Sequence, residues 1–270
     1  MLRIERLAIL IGLVVLGLGI SPYVSLPSLV LAFRLPDTPA IASFTLTPTY
    51  QVGLVVVLLA WVILAGLARA DWRLRRAGLG GLASFWALPT CLILGAFALF
   101  ERLDGPLPRM FGMASAAIAL GLTVIAQFRT LNATDPWFEV ARLGLNAVAY
   151  ALALGLFVLI DLLPLRPLVA APLAMLGSVA LTLELWRSAP VNSRRLWIIA
   201  ALVGLMTAGL VWALSRSALR PLAAGFLLLL AFYGMTWPLQ QRLWGRFDRR
   251  AAIELLAVVA IALALVLRLA

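Results

Sequence analysis

Eight polar residues of this largely apolar chain have types and spacing that could do chemistry together. Glu139, Arg142 and Asn146 stand at i, i+3 and i+7, a spacing that places all three on one face of a helix. Glu184 precedes Arg187 by three residues. Gln240, Gln241 and Arg242 are consecutive, and Glu254 follows Arg250 by four. Carboxylates move protons and bind cations, while amides and guanidinium groups hydrogen-bond polar ligands. Gathered together, the eight would line a polar cavity open to the cytoplasm, as a transporter or lipid-handling protein requires. The competing reading makes them local ion pairs and caps at helix ends, where a charged side chain can snorkel to the surface.

The residue types that are missing narrow the chemistry further. All 22 basic residues are Arg, so Lys is absent, and His is absent too. Without Lys there is no Schiff base and no phosphate-loop lysine. Without His there is no Ser–His nucleophile pair, no His-ligated haem and no His-based zinc site. The one cysteine, Cys91, sits in an apolar run; it reads as a small core residue and cannot close an internal disulfide. No acid pair has the spacing of a carboxylate-bound magnesium site or of general acid–base work. No residue is therefore assigned a catalytic, metal or cofactor role, no cofactor is expected, and a lipid-directed enzyme using carboxylates alone ranks last.

The elements that must position these residues are membrane helices. Of 270 residues, 64% are apolar and the mean hydropathy is +1.07, against roughly 45–50% apolar in soluble domains. Runs of about 18 or more apolar residues read as spans. Nine are expected, near 7–24, 50–70, 82–100, 110–130, 140–160, 167–187, 196–215, 219–241 and 251–270. The fold class is all-α, a polytopic transmembrane bundle in one domain over residues 1–270. The N-terminal run lacks a convincing cleavage site and reads as a retained first span.

The net charge of +11 is distributed as a membrane topology signal, not as a nucleic-acid surface. With the N-terminus inside, 15 Arg fall on the cytoplasmic side and 7 on the other. Nine spans then place the C-terminus outside; an eight-span arrangement would return it inside. Tyr50, Trp72, Trp137, Trp186, Trp197 and Trp244 fall near span ends, where aromatic rings settle at headgroups. Trp61, Tyr150 and Tyr233 fall mid-span and are expected to pack between helices.

Other features organise the chain. Residues 25–49 form the longest connection, an extracytoplasmic loop carrying Pro27, Pro36, Pro39 and Pro48 and the weakly alternating "ASFTLTPTY". It reads as a loop on the membrane surface, or as a lid or docking surface. "LRPLVAAPL" at 165–173 resembles "LRPLAAGFL" at 219–227, which points to helical-hairpin repeats over 165–215 and 219–270 or to chance reuse of a short motif. Asp161 is expected to pair with Arg166. Pro238 should bend or end the eighth span near Trp237, with Asp248 capping the ninth.

The segments "ATDPWFEVARLGLNAVAYALALGLFVLID" (133–161), "LTLELWR" (181–187) and "AAGFLLLLAFYGMTWPLQQRLWGRFDRRAAIEL" (223–255) carry a resemblance. The chain resembles an uncharacterised family of polytopic membrane proteins from green non-sulfur bacteria, departing from its pattern at Phe85 and Ser215, where more polar residues are usual. The resemblance implies a bacterial cytoplasmic membrane location and assigns no activity. Scarce chemical groups and unbroken hydrophobicity make an accessory, scaffold or assembly subunit of a larger membrane complex the leading expectation. Its partners would be membrane lipids and other membrane-protein subunits, with no nucleic acid.

Overall fold

A computed structural model describes residues 4–34, 41–68, 78–132, 134–163, 166–187, 193–217 and 219–243, together with 253, 256, 257, 259, 260 and 264. The ninth expected span, Asp248 and Glu254 fall largely or wholly outside the described residues. The elements in chain order are α1 (Ile4–Ile20), a short 3-10 turn (Ser21–Tyr23), β1 (Leu29–Arg34), β2 (Ile41–Leu46), α2 (Pro48–Ala68), α3 (Gly78–Phe100), α4 (Pro106–Arg129), α5 (Phe138–Leu162), α6 (Pro167–Leu185), α7 (Ser193–Leu214) and α8 (Pro221–Leu243).

Proline sets where several of these helices begin. Pro48, Pro106, Pro167 and Pro221 each stand first in a helix. The missing N–H costs nothing there, because the first-turn donors have no intrahelical partner. Gly105, just before α4, has φ +90°, a conformation that a side chain would strain.

Among the described residues, seven helices are long and apolar enough to cross a membrane: Glu5–Tyr23, Pro48–Ala68, Pro106–Arg129, Phe138–Leu162, Pro167–Leu185, Arg194–Leu214 and Pro221–Arg242. In α3 the stretch Phe85–Phe100 is a further apolar helix. Large apolar side chains face outward along these helices, such as Leu58 at 59% and Val62 at 71% exposure. In water such a belt would be a liability; against lipid it is the expected surface. These are the helices of a membrane protein.

Packing gathers the chain into two compact units, Met1–Asn146 and Ala147–Ala270. In the first, α1 packs on α2 and α4, α2 on α3, and α3 on α4. Leu10, Leu18, Leu64, Phe85, Phe97 and Leu120 fill its core. In the second, α6 packs along α7 and α7 along α8. There Phe157 of α5 meets Phe232 of α8 edge-on at 6.1 Å, and Tyr150 meets Tyr233 at 5.4 Å. Trp61 stacks on Trp86 at 5.7 Å and donates its indole N–H to Thr90 Oγ1 at 2.8 Å. The mid-span aromatic residues thus pack between helices.

Three local expectations are refined. The 25–49 connection is not simply a loop: β1 and β2 pair antiparallel from Leu29↔Leu46 to Arg34↔Ile41. Leu29–Phe33 does not alternate, so only β2 carried a strand signal. Of the two outcomes expected at Pro238, a bend or an end, the helix does not end there: α8 continues to Leu243. The proline ring presses on the carbonyl four residues back, and that residue is Gly234, whose backbone adjusts freely. Trp186 stands at the end of α6 with its ring covered by protein: it is 1% exposed, and residues 181–186 are all buried.

Candidate functional site

The candidate residues fall in two places. Glu139, Arg142 and Asn146 lie in the first unit, along the opening turns of α5. Glu139 is exposed, and Arg142 and Asn146 are half-buried. The turn before α5 fixes how that helix starts. Asp135 accepts from the Trp137 backbone N–H at 2.8 Å and sits 3.7 Å from Arg129, whose guanidinium lies 5.7 Å from the centre of the Trp137 ring. Glu139 then stands in the first helical turn, where the helix dipole favours a negative charge.

The second place is the end of α6. Glu184 and Arg187 form an ion pair at 3.3 Å, with side-chain exposures of 1% and 12%. Gln240, buried on α8, donates its amide to the carbonyl of Leu185 at 3.2 Å. The last four carbonyls of a helix have no intrahelical partner. Gln240 therefore closes the end of α6 and ties α8 to it. Gln241 is half-buried and Arg242 is exposed at the end of α8. Glu254 lies outside the described residues. The structure thus brings Glu184, Arg187 and Gln240 to one helix end.

Two further side chains, which the sequence did not mark, play the same part. Pro89 stands inside α3 and has no N–H to offer the carbonyl of Phe85. Gln127, fully buried on α4, donates its amide to that carbonyl at 3.2 Å. A glutamine in one span and a proline in another were the available signals, because a carbonyl freed in lipid must find a donor. Arg6, at the start of α1, donates to the Gly66 carbonyl in the last turn of α2. A cation at a helix C-terminus also complements the dipole.

Three buried threonine hydroxyls bond carbonyls of their own helices. Thr182 donates to Ser178 O at 2.7 Å, Thr207 to Val203 O at 2.9 Å, and Thr236 to Phe232 O at 2.8 Å, while Tyr150 and Thr236 are 3.3 Å apart. Asp161, in the last turn of α5, and Arg166, before α6, are both exposed. Cys91 is half-buried in α3. Among the described residues, no group of three or more His, Cys, Asp or Glu is placed to hold a metal ion.

α6 and α8 share an opening and one buried face. Each opens with Arg-Pro-Leu, and Ala170 and Ala224 each donate to the Arg carbonyl four residues back, at 3.0 Å. Ala170, Ala174, Ser178 and Thr182 are buried on α6, as are Ala224, Leu228, Phe232 and Thr236 on α8.

A family model described as "Protein of unknown function (DUF5656)" matches residues 26–269, and the chain belongs to that family. No curated protein and no solved structure matches it.

Proposed function

We propose that this member of a family of unknown function is a non-catalytic membrane subunit, an accessory, scaffold or assembly component of a larger complex in the bacterial cytoplasmic membrane. One observation carries the reading. Of the buried amide and carboxylate side chains among the described residues, Gln240 and Gln127 each bond a backbone carbonyl of another helix, which fastens spans together, and Glu184 pairs with Arg187 three residues on. The exposed apolar belts leave surface for lipid and for other spans. The nine-span, N-inside topology and one continuous domain belong to the same proposal. So does duplication of the α6–α7 hairpin, which the matched burial of α6 and α8 supports.

The test is extraction from native membranes in mild detergent, followed by mass measurement of the intact particle. A defined particle with stoichiometric partners is the expected result. The chain alone, with no partner at any detergent strength, would overturn the reading.

A second reading has its own support. Glu184 is an ionisable group buried at the end of an apolar helix, and such groups are costly. It would belong to a transporter or lipid-handling protein with a cytoplasm-facing cavity drawing on Glu139, Arg142, Asn146, Glu184, Gln240, Gln241, Arg242 and Glu254. A lone chain that carries a bound lipid or small molecule, and loses it in Glu184→Gln, would favour this reading.

A further inference from the structure

The hairpin between α1 and α2 is amphipathic by register. Successive positions on a strand alternate between faces. The pairs Leu29↔Leu46, Leu31↔Phe44 and Phe33↔Ala42 therefore share one face, and every position on it is apolar. The pairs Val30↔Thr45, Ala32↔Ser43 and Arg34↔Ile41 share the other, which holds all of the hairpin's Thr, Ser and Arg beside Val30, Ala32 and Ile41. An isolated two-stranded hairpin is marginal in water and needs an apolar surface to lie against.

The base of the hairpin is fixed to the end of a spanning helix. Gln51, in the first turn of α2, donates its side-chain amide to Pro27 O at 2.9 Å and to Leu46 O at 3.1 Å. The outward apolar belt of α1 and α2 continues toward this base, with Ser25 and Ser28 exposed among its apolar residues. Ile20, Tyr23, Leu26 and Leu29 are exposed, Tyr23 at 87%. Both outer edges of a two-stranded sheet carry unpaired backbone groups, which cannot enter hydrocarbon without water. An apolar face adjoining the lipid-facing belt, and edges that need water, are met together only at the boundary of the bilayer.

We propose that the hairpin lies flat on the lipid surface, with the face holding positions 29, 31, 33, 42, 44 and 46 toward the hydrocarbon and the face holding 30, 32, 34, 41, 43 and 45 toward water. It is a monotopic element appended to a polytopic chain, and it meets lipid in the manner of an interfacial amphipathic segment. This rests on α1 and α2 being spans, and does not depend on the subunit reading.

The test uses the full chain in a Cys91→Ser background, with single cysteines along both strands carrying a nitroxide. Each variant is reconstituted in vesicles of phosphatidylcholine and phosphatidylglycerol. Relaxation by oxygen, which concentrates in lipid, is compared with relaxation by a water-soluble nickel chelate. The expected result is a two-residue alternation on both strands, with oxygen dominating by several-fold at 29, 31, 33, 42, 44 and 46 and nickel at the rest. Nickel dominating at every position would place the hairpin in water. Exclusion of both agents from one face would place that face against protein. Either result overturns the proposal. A variant that does not elute like the parent is replaced by the cysteine two positions along, which tests the same face.

Discussion

Gln240 donates its side-chain amide to the backbone carbonyl of Leu185 across 3.2 Å, closing the end of α6 from α8. In the first unit Gln127 likewise donates to a carbonyl of another helix, that of Phe85, to which Pro89 has no N–H to give. Each bond joins a polar group that lipid would penalise to a backbone group that lipid would also penalise. That makes the two glutamines structural fasteners, and the following outcomes are expected.

Gln240→Leu keeps the volume and removes the donor. Interhelical hydrogen bonds in membrane proteins average about 0.6 kcal/mol and reach about 1.7. Because the Leu185 carbonyl would be left buried, the loss should lie toward the upper end of that range. Denaturation of the purified protein in mixed micelles measures it. No change in stability would show that the bond holds nothing.

Gln127 and Pro89 should be coupled. Pro89→Ala restores the N–H that Phe85 O would otherwise accept, so the side chain of Gln127 becomes redundant. Gln127→Leu should then cost about 1 kcal/mol in the natural background and distinctly less beside Pro89→Ala. A double-mutant cycle reads the difference. Equal costs in both backgrounds would show that Gln127 does not serve that carbonyl.

Glu184→Gln removes one charge of a buried pair and leaves Arg187 behind. Breaking such a pair costs about 3 kcal/mol or more, while replacing both partners is often close to neutral. The double replacement Glu184→Leu with Arg187→Met should therefore be more stable than Glu184→Gln alone. Thermal aggregation in detergent ranks the three proteins. A double replacement no more stable than Glu184→Gln would mean that the two charges do not depend on one another.

Two glycines of α7 should respond in opposite ways. A Cβ at Gly204 would stand 2.9 Å from the Met175 carbonyl and 2.6 Å from Val179 Cγ2, whereas one at Gly209 would meet nothing within 4 Å. Gly204→Ala should cost about 1–3 kcal/mol through overpacking. Gly209→Ala should be neutral, or stabilising by up to about 1 kcal/mol through helix propensity. The same unfolding assay compares them, and equal behaviour would contradict the close packing of α6 on α7.

Seven of the nine expected spans were legible because lipid demands long apolar runs, and because Pro48, Pro106, Pro167 and Pro221 mark where helices open. The hairpin was half legible. "ASFTLTPTY" alternates, but Leu29–Phe33 is apolar at every position, and only cross-strand register sorts it into faces. Gln240 stood out as a polar residue at a span end, yet its partner is a backbone carbonyl 55 residues away, which no side-chain pattern reports. Gln127 carried no signal of its own because its meaning lies in Pro89, on a different helix. Backbone groups freed by proline or by helix ends are silent in composition and periodicity, so tertiary contact alone shows who satisfies them.

The most direct test of polar residues as fasteners needs no substitution. The native protein in vesicles is treated with a water-soluble carbodiimide and an amine, and each carboxylate is quantified by mass spectrometry. Glu139, exposed in the first turn of α5, should be modified readily, while Glu184, with 1% of its side chain exposed, should stay unmodified until the protein unfolds. Equal modification of Glu184 in the folded protein would mean that water reaches the end of α6, and a polar cavity would then replace the fastened helix end.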